Sequence, residues 1–199
     1  YDLRIQQMDE TGIDVSIVSL TAPNVYWGGQ EVSCQAAAVS NDSMAEAELK
    51  YPDRIRWYTS LPWQYPAQAI EELQRTVGLG AKGVMVLANV AGQSLTDPLF
   101  EDIWQEIDDR ALPVLLHPTD PPGADVLDMG SYDLSWSVGF MFDTTLAVTR
   151  MIASAMARPC SKAASAASSA RLSSTGTTVV ARSAPTDSIA RSSETSRRT

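Results

Sequence analysis

The stretch Leu112-Pro113-Val114-Leu115-Leu116-His117-Pro118-Thr119-Asp120 decides the fold of this chain. Val114, Leu115 and Leu116 form a short apolar run, read as a buried strand that Pro118 ends. His117 therefore sits at the strand's carboxyl end, where it opens a loop rich in Pro and Gly that extends to about Ser135. A polar, titratable side chain at such a strand end is where a parallel α/β protein places its chemistry. His117 is also the chain's one histidine. A mechanism that needs several imidazoles cannot be completed from these residues.

Outward from this strand, the preceding sequence alternates helix and strand signals. Residues near 2–11 read as a helix with Ile5 and Met8 on one side, stopped by Gly12. Val15 to Leu20 reads as a strand, followed by a loop over 21–30 with Pro23, Gly28 and Gly29. An Ala-, Glu- and Met-rich helix is expected from about 31 to 50, then a strand from Ile55 to Ser60. Pro66 opens a helix with Ile70, Leu73 and Val77 on one stripe, closed by Gly78 and Gly80. Gly83 to Leu87 is a further buried strand. Asp97 is an N-cap before Pro98, and Leu99, Ile103, Trp104 and Ile107 form the next helical stripe. A last helix is expected over about 138–157. The acidic face Asp102, Glu106, Asp109 reads as solvated surface.

Four strand candidates recur at intervals of roughly 30 to 40 residues, the length of a strand–helix–strand crossover. That pattern means a parallel sheet covered by helices, in the α/β class. Periodicity leaves a barrel and an open doubly wound sheet both open. No Gly-x-Gly-x-x-Gly follows a strand, so a dinucleotide site is not indicated.

The net charge of −9 is split unevenly. Residues 1–150 hold 22 Asp/Glu against 8 Lys/Arg, and residues 151–199 hold 2 against 7. An acidic body argues against nucleic acid as a partner, because phosphate contacts need a basic face. No apolar run approaches the roughly 18 residues a membrane span needs. No leader is visible at Tyr1-Asp2-Leu3-Arg4, and Cys34 and Cys160 make no disulfide framework or metal motif, so a cytoplasmic setting is expected. All 14 aromatic residues precede position 151. The Ser/Ala/Arg-rich segment 158–199 is read either as a disordered tail or as a frame-shifted one, with residues 1–157 the folded domain.

Several ordered stretches resemble one family. They are Arg4 to Asp14, Asn41-Asp42, Lys50-Tyr51-Pro52-Asp53-Arg54, Ser60-Leu61-Pro62 and Gly80-Ala81-Lys82-Gly83-Val84. Leu116 to Asp120, Trp136-Ser137-Val138-Gly139 and Asp143-Thr144-Thr145 continue the series. Over about residues 3–157 the chain resembles the metal-dependent decarboxylases of the amidohydrolase superfamily, which act on aminocarboxymuconate semialdehyde, γ-resorcylate and related hydroxybenzoates. The resemblance implies a partial (β/α)8 TIM-like barrel, covering about strands two to five. It implies one divalent metal, zinc or manganese, at the carboxyl-terminal mouth, with His117 as one ligand. It also implies substrate-shaping roles for the strand-end loop residues Asn24, Trp27, Asn89, Asp120 and Trp136.

The family's His-x-His ligand pair, its His-Gly-Gly stretch and its final aspartate ligand have no counterpart in these residues. No catalytic acid or base is assigned here for that reason. The expected activity is that of a carboxy-lyase on a small aromatic or muconate-type carboxylate. The alternatives are a hydrolase of the same superfamily and a non-catalytic truncated pseudoenzyme. A third alternative is an interaction protein using its basic tail. The expected partners are the carboxylate substrate and a second copy in a homo-oligomer, with neither nucleic acid nor membrane.

Overall fold

The computed structural model describes residues 1–157 and 179–181. The chain opens with helix α1 (Asp2–Thr11), which Gly12 ends in the left-handed region at φ 70 while its N–H donates to the Met8 carbonyl. Strand β1 (Ser16–Val18), helix α2 (Gly29–Lys50) and strands β2 (Ile55–Trp57) and β3 (Thr59–Ser60) follow. Then come helix α3 (Pro66–Gly78), strand β4 (Val84–Leu87) and the short hairpin β5 (Asn89–Val90) and β6 (Gln93–Ser94). The 3-10 turn Pro98–Phe100, helix α4 (Glu101–Asp109), strand β7 (Val114–His117), the 3-10 turn Ser131–Asp133, the π-helical turn Ser135–Gly139, helix α5 (Phe140–Ala157) and strand β8 (Val179–Ala181) complete the described elements, so the loop expected up to about Ser135 already turns helical at Ser131.

β1 pairs in parallel with β2, β3 with β4, and β4 with β7, in the register Leu87 opposite His117. Tyr58 bridges the break between β2 and β3 by donating its N–H to the Val18 carbonyl. Parallel neighbours therefore follow one another in chain order with no reversal. An open doubly wound sheet would show a reversal, and the described strands have none. β8 adds to the free side of β7 in the antiparallel sense. The sequence did not signal that strand, and the remainder of 158–199, with the readings of a disordered or frame-shifted tail, lies outside the described residues.

The two faces of the sheet are packed differently. Leu61, Val84, Val86 and Leu116 face a large cluster with Leu73 of α3, Ile103 and Ile107 of α4, and Ala147 of α5. Trp63 packs its ring edge-on against Phe100 at 5.6 Å and tilted on Trp104 at 4.9 Å in that cluster. Met85, Leu87 and Tyr58 project to the opposite face and form a smaller cluster, flanked by Tyr26 and Leu115. Both faces of β4 are thus covered, and its four residues are buried.

Two close contacts lock the layers. A Cβ on Gly83 would lie 2.5 Å from the Pro113 carbonyl oxygen, so only glycine lets β4 and β7 approach there. Buried Asn41 of α2 accepts from the Ser60 N–H at 3.0 Å and donates to the Ser60 carbonyl at 2.9 Å. Its amide replaces the neighbouring strand that β3 lacks beyond Val18.

Several expectations are corrected. Leu99 is exposed, and Phe100 takes the buried place, because Pro98–Phe100 is a 3-10 turn that rotates the stripe before α4 begins. The strand expected over Ile55–Ser60 is split at Tyr58. Asn89 belongs to an unforeseen hairpin, which turns on left-handed Ala91 and Gly92. Asp97 caps as expected, accepting from the Leu99 N–H at 2.9 Å. Among the described residues no helix is long and apolar enough to cross a membrane.

Candidate functional site

The carboxyl ends of the parallel strands converge on one rim, where Asn24, Ser60, Asn89 and His117 stand. Side chains alternate along a strand, so His117 shares a face with Leu115, which touches the smaller inner cluster. The His117 ring is half-buried, and its Nδ1 lies 2.7 Å from the Pro118 carbonyl oxygen. A carbonyl has no proton to give, so Nδ1 carries one and donates, which leaves the lone pair of the neutral ring on Nε2. The backbone is fixed too, since the His117 carbonyl accepts from the Ala88 N–H at 2.8 Å.

Asn24 is buried and adopts φ 56, a left-handed conformation that Asn tolerates. Its Nδ2 donates to the Leu20 carbonyl at 3.2 Å and lies near Ser60 Oγ and Met85 Sδ, while its Oδ1 accepts from the Val25 N–H. Trp27, 51% exposed, donates its indole N–H to the Asn24 carbonyl. The loop after β1 is therefore built around Asn24, with Trp27 at its outer surface.

Asn89 is buried as well. Its Nδ2 donates to the Asp120 carbonyl at 2.9 Å and to Asp143 Oδ1 at 3.1 Å, and its Oδ1 accepts from the Gly92 N–H. Asp120 enters this network through its backbone, and its side chain is exposed. Trp136 is 71% exposed and stacks on Phe140 at 4.9 Å. The structure thus gathers Asn89, Asp120 and His117 into one neighbourhood, places Asn24 on the same rim, and leaves Trp27 on an outer loop and Trp136 exposed on the π-helical turn that leads into α5.

Sequence reasoning passed over three groups here. Asp143, in the first turn of α5, is 1% exposed, and its Oδ2 accepts from the Thr119 N–H at 2.9 Å. Burial is the main influence on its carboxyl and raises its pKa above the ordinary aspartate value, against the pull of the bonds from Thr119 and Asn89. The Tyr26 hydroxyl is buried beside the Leu87 backbone, and this burial pushes it well above the usual phenol range. Ser60 is fully buried at the end of β3. An acid in a helix's first turn ordinarily reads as a dipole partner in solvent, so only the quoted Asp143-Thr144-Thr145 stretch marked Asp143.

Among the described residues no three His, Cys, Asp or Glu side chains converge to hold a metal ion. Each Asp143 oxygen already accepts a hydrogen bond, which leaves the His117 imidazole and the exposed Asp120 carboxylate as the uncommitted donors near the rim among the described residues. The donors described do not make a complete metal centre.

Comparison with known proteins agrees with this geometry. The family profile described as Amidohydrolase matches residues 1–163. The chain is 33% identical over 154 residues to 2-amino-3-carboxymuconate-6-semialdehyde decarboxylase of Dictyostelium discoideum, covering 76% of this chain and 42% of that protein. It is 34% identical over 172 residues to the γ-resorcylate decarboxylase of Rhodococcus jostii, covering 78% and 51%. Among solved structures, 2,6-dihydroxybenzoate decarboxylase from Rhizobium superposes with a TM-score of 0.71 at 31% identity, covering 77% of this chain and 50% of that one. A 5-carboxyvanillate decarboxylase from Novosphingobium aromaticivorans, with manganese bound, gives 0.71 at 30% identity over 75% and 44%. The chain spans about half the length of these relatives.

Proposed function

Because the chain belongs to the amidohydrolase family, we propose that it is the strand-two to strand-five arc of a barrel enzyme that removes carbon dioxide from a small aromatic or muconate-type carboxylate. The carrying observation is His117, held at a strand end by its Pro118 contact with the metal-binding nitrogen left free. The decarboxylase names of the relatives supply the reaction class, and the ordered parallel strands support the barrel arc over residues 1–157.

In this reading His117 is one donor to a divalent metal, manganese or zinc, since neutral imidazole suits borderline ions. One imidazole holds such an ion weakly, so the other donors and the proton-moving group come from outside the described residues. A divalent metal held there with further donors would supply charge stabilisation at the substrate's oxygens. Trp27 after β1, Asp120 after β7 and Trp136 in the helical turn before α5 are the side chains proposed to meet the carboxylate substrate. Asn24 and Asn89 shape the rim beneath them. The protein works in the cytoplasm, where the Cys34 thiol stays free, and its partners are the substrate and a second copy of itself.

The test is carbon dioxide release from 2,6-dihydroxybenzoate by the Mn2+-loaded protein, with His117→Gln beside it. Release that the substitution abolishes supports the proposal. Release that survives the substitution, or hydrolysis of an ester analogue in its place, overturns it. No release from the parent chain counts against decarboxylation by these residues alone and favours the non-catalytic alternative for them.

A further inference from the structure

We infer that Asp143 is a positioning residue for His117, acting through the peptide unit that joins Pro118 to Thr119. That single unit makes both contacts. Its carbonyl accepts from His117 Nδ1 at 2.7 Å, and its N–H donates to Asp143 Oδ2 at 2.9 Å. A carboxylate on the N–H side of an amide polarises it, which makes the carbonyl a stronger acceptor. The stronger acceptor holds the proton on Nδ1 and keeps the lone pair on Nε2, the arrangement in which imidazole binds a metal.

The rest of the contact network serves the same unit. The second Asp143 oxygen accepts from Asn89, whose amide also donates to the Asp120 carbonyl and accepts from the Gly92 N–H. The turn Pro118–Asp120 is thus gripped from α5 on one side and from the β5–β6 hairpin on the other. Asp143 forms no ion pair with Lys or Arg among the described residues. A buried carboxylate without a cation is costly, and a role that needs its charge explains why an apolar residue or an amide does not stand there.

The functional use of this relay rests on His117 being a metal donor, as proposed above, and its geometry does not. The chain's one histidine gives a single imidazole spin system, so long-range proton–nitrogen NMR of the metal-free protein, at a pH where the ring is neutral, reads its tautomer directly. The parent chain is expected to show the Nδ1-protonated form. Asp143→Asn offers one acceptor and one donor where the parent accepts twice, so it must lose the bond from Thr119 or from Asn89. The ratio of Nδ1- to Nε2-protonated ring should then fall by up to about twofold, because the Pro118 carbonyl stays in place and loses only the cooperative strengthening, about 10–30% of one bond.

Asn89→Asp combined with Asp143→Asn keeps an acceptor for the Thr119 N–H but without its charge, and sets a carboxylate against the Asp120 carbonyl, so the ratio should stay low. An Nε2-protonated ring in the parent chain overturns the inference. So does an unchanged ratio in Asp143→Asn when the Thr119 amide resonance shows that its bond is gone. Should Asp143→Asn fail to fold, Asp143→Ser, which also removes the charge, takes its place, and an unchanged ratio there overturns the inference. Paramagnetic broadening of the His117 ring by added Mn2+ is a separate reading. Its absence, with the tautomer as stated, removes the metal proposal and leaves the relay standing.

Discussion

Asn41→Ala should cost this protein about 2–6 kcal/mol, and the reason lies in two backbone atoms of another residue. Asn41 is fully buried on α2, and its amide satisfies both the N–H and the carbonyl of Ser60, which is also fully buried. β1 ends at Val18, so no strand can take over those bonds on that side of β3. Each buried backbone group left unpaired costs about 1–3 kcal/mol, and the alanine leaves two. Total stabilities of domains are about 5–15 kcal/mol, so the loss is a large fraction of the whole. Asn41→Asp keeps the acceptor for the Ser60 N–H, but sets a carboxylate against the Ser60 carbonyl and against Glu72, which Asn41 now contacts at 2.7 Å. It should therefore not rescue. Ser60→Ala should be far milder, because the bonds are to the backbone of Ser60. Urea unfolding followed by the fluorescence of buried Trp57 and Trp63 measures all three. An Asn41→Ala loss below about 0.5 kcal/mol, the level of an ordinary surface change, would refute the reasoning.

Gly83→Ala must displace the Pro113 carbonyl, which is already committed to the Val84 N–H at 2.9 Å, so a loss of about 1–3 kcal/mol in the same unfolding assay is expected, and a neutral result would sink the close-approach argument. Asp2 accepts from Lys50 and from the Tyr51 hydroxyl, which together lower its pKa to about 2 from 3.8. Its folded value is depressed, so its small stabilisation is present above pH 3.8 and fades as pH falls through about 2. NMR titration of the Asp2 carboxyl checks the value, and Asp2→Asn should flatten stability across that window. Trp136→Ala should change stability by less than about 0.5 kcal/mol because its ring is mostly in solvent, so any loss of substrate binding seen by calorimetry reports contact and not unfolding.

The helices and the strand ends were legible in the sequence for physical reasons that the structure makes plain. Gly12 ends α1 in the left-handed conformation its position demanded, and Asp97 caps the turn it was expected to cap. The placing of His117 followed from an apolar run and a proline, both local signals. The contacts that hold His117 were not local. Asp143 lies 24 residues from Thr119 and Asn89 lies 54 from Asp143, and no periodicity connects them. Asn24 and Asn89 were picked as rim residues from their strand-end positions, but their amides are saturated by protein groups, which spacing alone could not disclose. Leu99 and Phe100 exchanged places because a single 3-10 turn shifts the helical phase by one residue.

The unreversed order of the parallel strands carries a consequence for how the molecule assembles and comes apart. Each strand–helix unit leans chiefly on the one before it and the one after it, much as in a stacked repeat, so stability should be passed along the chain as a series of neighbour terms. Units of this kind can be laid down in the order in which the ribosome delivers them, each finding its template edge already in place. Among the described residues β4 has a parallel strand on either side and β1 has one neighbour, so β4 should keep its amide protons longest in deuterated water and β1 should open first.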